Sequence, residues 1–356
     1  MVLLTSLSGP ATVSCLSLSS KLFACGFENG SIHLTSPNNY ASPTILSPSS
    51  RPCTAIALAG DDSDILYSSH NGNIAFWDIR KHQTPLNVCK VSNDDINCID
   101  VNAGDGCLAT ADDVGMVSLI SSLTGEVMCV LNNHDNICSA AKFRPTRQNQ
   151  LISCGMDCRL VVCDWKSGDR ERIVIEMTKL VDPCNYFRLL RSCVNEGKTY
   201  HRRRGRNGED VFSVRIASSF TPEEVEQMVK TRAYSQSLLL NPPMIHSLGC
   251  DDSGKYVAVG LGNGAVEIFK DDKNFRHVES LLGHRRSVSA LLPVGSSHLL
   301  SGGDDCCLFL WEMSRNGTGQ RFVHSEKIGA LAGRELGRVF VADNTSDVKV
   351  MDLVRA

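Results

Sequence analysis

The sequence predicts an all-β, seven-bladed β-propeller. Three observations carry that prediction: a hairpin unit that recurs seven times, a period close to 40 residues, and a lone strand-like segment ahead of the first unit. The unit is an apolar strand ending in small residues, a tight turn, and an alternating strand. LFACGFENGSIHL, ILYSSHNGNIAFWDI, CLATADDVGMVSLI, LISCGMDCRLVVCDW, YVAVGLGNGAVEIF, LLSGGDDCCLFLWEM and RVFVADNTSDVKVMDL superimpose without gaps. The residue after the turn's polar position is Gly30, Gly72, Gly115, Cys158, Gly264, Cys306 and Ser346 in turn. Neighbours lie about 40 to 43 residues apart, except for one step of about 106, and this period is that of a four-stranded propeller blade. Asn-Gly suits a two-residue hairpin because both central residues need φ > 0. Strand alternation flanks the turns, and long helical periodicity is nearly absent.

Residues 2–7, VLLTSL, precede the first unit and supply the outer strand of the blade begun near Ile328. Joining both termini in one blade closes the ring and removes its open sheet edges, so residues 1–356 form a single domain. The wide step leaves about 60 extra residues, spanning 176–240, between the fourth and fifth units. They hold no Asx-Gly hairpin between alternating strands. The expectation is therefore a long inserted surface loop rather than an eighth blade, since closure entropy grows slowly with loop length. Within it, HRRRGR makes a basic patch of Arg202, Arg203, Arg204 and Arg206. Such a run is a solvated loop, a nuclear address or a phosphate-binding segment. TPEEVEQMVKTR then reads as a short helix, with Thr221 as N-cap, Pro222 in the first turn and Glu224 completing a capping box. Val225, Met228 and Val229 form its apolar stripe.

Composition bounds the function. Of 356 residues, 42% are hydrophobic, enough for a core, and a net charge of −3 creates no global field toward nucleic acid or membrane. Sixteen cysteines include no Cys-x2-Cys pair; the closest groupings are Cys154-x3-Cys158, Cys158-x4-Cys163 and Cys306-Cys307, which exclude an ordinary zinc site. Most lie in apolar runs, where a thiol acts as a small hydrophobe, and unpaired thiols suit a reducing compartment. MVLLTSLSGP lacks the basic region of a secretory signal, and no apolar run approaches the roughly 20 residues of a membrane span. The chain is expected in cytoplasm and/or nucleus. No nucleophile elbow, phosphate loop or His-Glu-x-x-His appears, and the glycines of GLGNGAV join two strands without a following helix. No catalytic residue, cofactor or metal is expected.

Outside the insertion, nearly the whole chain resembles the WD-repeat family. In the sixth unit Gly283-His284 precedes the first strand, and SGGDDCCLFLW matches Ser-Gly-x-x-Asp followed by a strand ending in Trp. The resemblance implies a structural hydrogen-bonded network of His284, Ser301, Asp305 and Trp311. Physically, such partners satisfy a buried imidazole. The fourth unit keeps His134, Ser153 and Asp157 but has Cys163 where Trp is expected. The Trp position holds Thr35, Phe269 and Met351 in the first, fifth and seventh units.

The second unit, residues 65–80, ends in Trp77-Asp78-Ile79-Arg80 and is similar to the sixteen-residue WDxR box of WD-repeat substrate receptors for cullin-four ubiquitin ligases. Asn71 departs from the Asp usual there. In that family the terminal Arg meets the adaptor, the damaged-DNA-binding protein, at the propeller's bottom face. The resemblance thus implies Trp77, Asp78 and Arg80 as adaptor-binding residues and an unknown substrate elsewhere. A guanidinium suits the task, being a planar fork that stays charged. Residues 96–115, HDNICSAAKFRP, LISCGMD and LLLNPPMIHSL resemble a narrower group of WD-repeat propellers proposed as such receptors. Two other readings stay open: a general assembly scaffold, with the box as blade structure, and a nucleic-acid-associated propeller using the basic insertion.

Overall fold

A computed structural model of the chain describes residues 2–81, 84–167, 172–180, 200–204, 210–218, 220–221, 223–227, 242–314, 317–335 and 337–353. These build seven antiparallel blades. The innermost strands, in chain order, are Val13–Leu18, Ala55–Leu58, Ile96–Asn102, Cys138–Arg144, Ile245–Cys250, Val288–Val294 and Ile328–Glu335. Each contacts the next, and the last contacts the first, around a central channel of about 430 Å³. Blades are numbered 1 to 7 from these strands. The seventh is completed by Val2–Ser8, which pairs antiparallel with Asp347–Asp352 and sets Val2 opposite Asp352. The ring is closed by both ends of the chain.

The recurrent turn does what its residues dictate. Asn71 and Gly72 have φ of 50° and 71°, as a tight hairpin between Ile65–His70 and Asn73–Asp78 requires. Cys158 and Cys306 hold the same left-handed conformation, with φ of 64° and 58°, although a side chain makes it costlier there than for glycine. The turn geometry belongs to the blade, and the residue type follows it imperfectly.

Two devices join blades. Apolar side chains of adjacent sheets interdigitate, as where Trp77 of blade 2 packs with Ala24, Leu34 and Leu46 of blade 1. In addition, a polar side chain on an inner strand, or just ahead of it, donates to the carbonyl at the start of the next blade's inner strand. Ser14 Oγ reaches the Cys53 carbonyl at 2.5 Å, Thr54 Oγ1 that of Ile96 at 2.7 Å, and Asn97 Nδ2 that of Cys138 at 3.2 Å. Ser139 reaches Ile245 and Ser247 reaches Val288, both at 2.7 Å, and Ser289 bonds Ile328. Between blades 7 and 1, backbone bonds from Gly9 to Ser346 and from Val13 to Thr345 take over.

At the seam of blades 4 and 5, where the insertion makes the chain connection longest, a buried guanidinium acts as a clamp. Arg144 pairs with Asp271, donates to Gln150 Oε1 at 2.5 Å and to the Asp272 carbonyl at 2.8 Å, and lies 5.4 Å over the Phe275 ring. Arg144 and Asp271 are both almost wholly buried.

The insertion falls between blades 4 and 5 as expected, and it forms no eighth sheet among the described residues. It is nevertheless more than a surface loop. Tyr200–Arg204 and Asp210–Ile216 form an antiparallel pair, and the second strand runs parallel to His277–Leu282, extending blade 5 to six strands. Val214 and Ile216 are buried, so the added strand gains both hydrophobic burial and a hydrogen-bonded edge.

Candidate functional site

Asn73–Asp78 is the third strand of blade 2, and the chain leaves it through Ile79 and Arg80 on the face that also carries the link between the first and second strands. Trp77 opposes Leu66 and is only 2% exposed; its Nε1 donates to Ser68 Oγ at 3.0 Å. Asp78 is also buried, whereas the Arg80 side chain is 68% exposed. Arg80 folds back in a bidentate pair, Nε to Asp78 Oδ1 at 2.9 Å and Nη2 to Asp78 Oδ2 at 2.8 Å, with Asp64 Oδ2 3.4 Å from Nε. The Arg80 hydrogen bonds hold the Asp78 carboxyl down at about 2, so the pair is ionised at any physiological pH. Nη1 has no partner among the described residues. A charged fork is thereby fixed at the end of a rigid strand, with one nitrogen facing outward.

The histidine network of blade 6 is complete. His284 Nδ1 lies 2.9 Å from Asp305 Oδ1 and its Nε2 lies 2.9 Å from Ser301 Oγ, which also accepts Trp311 Nε1 at 3.0 Å. Burial opposes ionisation of Asp305, but the His284 hydrogen bond leaves its carboxyl below the usual range. Blade 4 repeats the core: His134 to Asp157 at 3.0 Å and to Ser153 at 2.9 Å. Where the indole is missing, Asn133 Nδ2 donates to Ser153 Oγ at 3.0 Å and toward Cys163 Sγ at 3.8 Å. An amide from the neighbouring position supplies the absent donor.

Residues 275–312, which hold this network, match the sequence model of the family described as "WD domain, G-beta repeat". Among known proteins, the chain is 22% identical to the "WD repeat-containing protein 53 homolog" of Dictyostelium discoideum, over 96% of this chain and 92% of that one. It is 27% identical to "Meiotic recombination protein rec14" of Schizosaccharomyces pombe, over 33% of this chain and 38% of that one. Full-length likeness, a matched repeat and seven blades agree. The chain is a seven-bladed propeller with a WD repeat matched at residues 275–312. WD-repeat propellers in general serve as scaffolds for contacts between proteins, and the fold and the matched repeat suggest that coarse role here.

Two further WD-type networks escape the sequence pattern. In blade 2, His70 Nε2 reaches Ser68 Oγ at 3.2 Å and its Nδ1 lies 3.2 Å from the Arg51 carbonyl. This imidazole comes from the end of the second strand rather than from ahead of the first. In blade 7, His324 Nε2 lies 2.8 Å from Asp343 Oδ2, which also accepts Lys349 Nζ at 2.8 Å. Burial works against ionisation of Asp343, yet the bonds from Lys349, Thr345 and His324 hold its carboxyl at about 2. The signal available for His324 was its place ahead of Ile328, four residues on, which matches His284 ahead of Val288.

The backbone of Arg202, Arg203 and Arg204 lies in Tyr200–Arg204, the outermost strand of the blade 5 sheet; Arg206 falls outside the described residues. The neighbouring strand is anchored by Arg215, which bonds Glu279 at 3.0 Å and the Glu312 and Ser314 carbonyls of blade 6 at 2.5 and 3.1 Å. The capping box is present: Glu224 N–H donates to Thr221 Oγ1 at 3.3 Å, and Thr221 N–H to Glu224 Oε2 at 3.0 Å. Val225 is buried, and Met228 and Val229 lie outside the described residues. No cluster of three or more His, Cys, Asp or Glu that could hold a metal occurs among the described residues. No described helix is long and apolar enough to cross a membrane.

Proposed function

We propose that this scaffold is a substrate receptor of a cullin-four ubiquitin ligase, held to the damaged-DNA-binding adaptor through Trp77, Asp78 and Arg80. The observation that carries the reading is the division of labour within four residues. Trp77 and Asp78 are buried and fix the strand end, while Arg80 stands out from it with its guanidinium aligned by Asp78. A pre-aligned cation loses little rotamer entropy on meeting a partner's carboxylate or carbonyl, and an interface Arg commonly carries a large share of the binding energy. The substrate would occupy another surface of the ring.

Arg80 can be tested apart from folding. Arg80→Ala strips the buried Asp78 of its partner and so should lower thermal stability, but it should leave the protein folded and weaken capture of purified adaptor at least tenfold. Trp77→Ala should lower both stability and capture, costing about 3–5 kcal/mol. Equal adaptor capture by Arg80→Ala and wild type would overturn Arg80 as the contact. No capture by wild type, under conditions that capture a known receptor, would return the protein to a general assembly scaffold.

A further inference from the structure

Three serines on the rim of blade 1, Ser36, Ser42 and Ser47, are each followed by proline, and all three are exposed. Ser36 ends the third strand, Ile32–Ser36, and Ser47 follows the outer strand, Asn39–Leu46. At both of those places a Ser-Pro pair is ordinary, because it starts a turn. Ser42-Pro43 lies inside the outer strand, where that account fails. The strand is the blade's edge, so a proline is tolerated there, but edge pairing does not call for the serine before it.

Around Ser42 the chain leaves the ladder. Leu34 faces Thr44 and Ser36 faces Asn39, so residues 40–43 stand opposite Thr35 alone and form a bulge. Tyr40 anchors the bulge inward. Its ring meets Phe340 of blade 7 edge-on at 6.1 Å, and its hydroxyl donates to the Pro37 carbonyl at 2.5 Å. Ser42 is left outside, on backbone released from strand pairing, and the proline after it holds it extended. An exposed, extended hydroxyl free of the ladder is what a protein kinase cleft accepts. The other two Ser/Thr-Pro pairs stand singly, and one of them is engaged: Thr221 Oγ1 accepts the Glu224 N–H at 3.3 Å. The rim is also free of like charge. Between Glu28 and Asp61 the chain has no acidic residue, and Arg51 is its one formal charge.

We propose that the outer edge of blade 1 is a phosphorylation site, modified at Ser36, Ser42 and Ser47 by a protein kinase of the class that requires proline after the acceptor. In each transfer the serine Oγ attacks the γ-phosphorus of ATP. The Oγ–P bond forms, the bond to the ADP oxygen breaks, and the hydroxyl proton passes to the kinase's catalytic aspartate. Each phosphate adds about −1.5 to −2 charges at pH 7, which turns a weakly positive strip into a strongly anionic one. Arg338 of blade 7 is placed to receive the phosphate of Ser36. It already donates to the Pro37 carbonyl and to Asn38 Oδ1, both at 2.6 Å, and the Asn38 N–H bonds Ser36 Oγ at 3.4 Å. The site is independent of Arg80.

The test uses the full chain, a purified kinase of that class with Mg-ATP, and a peptide of residues 34–50 as the unhindered reference. Mass spectrometry should find phosphate on all three serines of the folded chain. Ser42 should react fastest, within about tenfold of its rate in the peptide, because its bulge needs no strand unpairing. Thr221, whose hydroxyl caps a helix, should react at least tenfold more slowly than Ser42. Ser42→Ala should lose one phosphate, and Pro43→Ala should cut the Ser42 rate at least tenfold. Both variants should melt as wild type does, since the two positions are exposed. The chain recovered from eukaryotic cells under phosphatase inhibitors should carry the same phosphates. The proposal is overturned if the peptide is modified and the folded chain is not, if Pro43→Ala reacts as wild type does, or if the chain from cells bears no phosphate at these serines. A Ser42 slower than Ser36 and Ser47 would overturn the role given to the bulge.

Discussion

The clamp at the seam of blades 4 and 5 offers a quantitative test of how this ring is held. Arg144→Met keeps length and apolar contact but removes the charge facing Asp271. Asp271 is almost wholly buried, and its Oδ2 has no hydrogen-bond partner among the described residues. Removing one partner of such a pair costs about 3–5 kcal/mol, because the other charge is left uncompensated. With an unfolding entropy of about 2.1 cal/mol/K per residue, 356 residues give roughly 0.75 kcal/mol/K, so the melting temperature should fall by about 4–7 °C. Removing both charges, in Arg144→Met with Asp271→Leu, should recover a substantial part of this, since an apolar pair of similar volume is often no less stable. Recovery stays incomplete because Gln150 Oε1 and the Asp272 carbonyl lose their donor, at about 1–3 kcal/mol for each if it stays dry. Differential scanning calorimetry on the four proteins of the cycle reads all of this. A fall below about 1 °C in Arg144→Met, or a double variant no more stable than Asp271→Leu alone, would refute the argument that an uncompensated buried charge dominates.

Asp343 gives a pH signature. Its folded-state carboxyl sits near 2 against an ordinary 3.8, so its stabilisation is fully present above about pH 4 and is lost as pH falls toward 2. Asp343→Asn should therefore melt below wild type at pH 6, and the gap should close between pH 4 and pH 2; a gap that persists at pH 2 would contradict this. Asn133→Ala should destabilise by about 1–3 kcal/mol, because Ser153 and Cys163 lose a donor in a buried site. Urea unfolding that shows a loss under 0.5 kcal/mol would mean that Asn133 does not stand in for the indole.

The period was legible because the tight turn needs φ > 0, a demand only a few residues meet cheaply, and Asn71-Gly72 states it openly. The same demand persists at Cys158 and Cys306, where composition hides it and only the spacing reveals it. The networks were legible where each partner kept its own position, as with His284, and illegible where a partner moved. His70 and Asn133 satisfy the same hydroxyl chemistry from other strand positions, and hydrogen bonding specifies geometry rather than chain order. The strand Asp210–Ile216 was missed for a related reason. Its antiparallel partner Tyr200–Arg204 is a charged run that breaks the apolar alternation ahead of Asn207-Gly208, and its other partner lies in parallel more than 60 residues later with no hairpin turn to read. The box residues were legible as types and as a buried–exposed division. The bidentate return of Arg80 onto Asp78 was not, because it depends on the turn that follows the strand.

Closure by both termini also fixes an order of events. During synthesis the first strand made must wait for the last, since Val2 finds its place opposite Asp352. Until then Val2, Leu3 and Leu4 travel without a partner on an otherwise nearly finished molecule. Bringing those ends together costs about 5 kcal/mol of loop entropy if the intervening chain is flexible, and far less once six blades have curved it into an arc. Ring closure is therefore expected to be the final step of folding. The pairing of Val2–Ser8 with Asp347–Asp352 inside blade 7, which no turn joins, is where the ring should open first under load or heat.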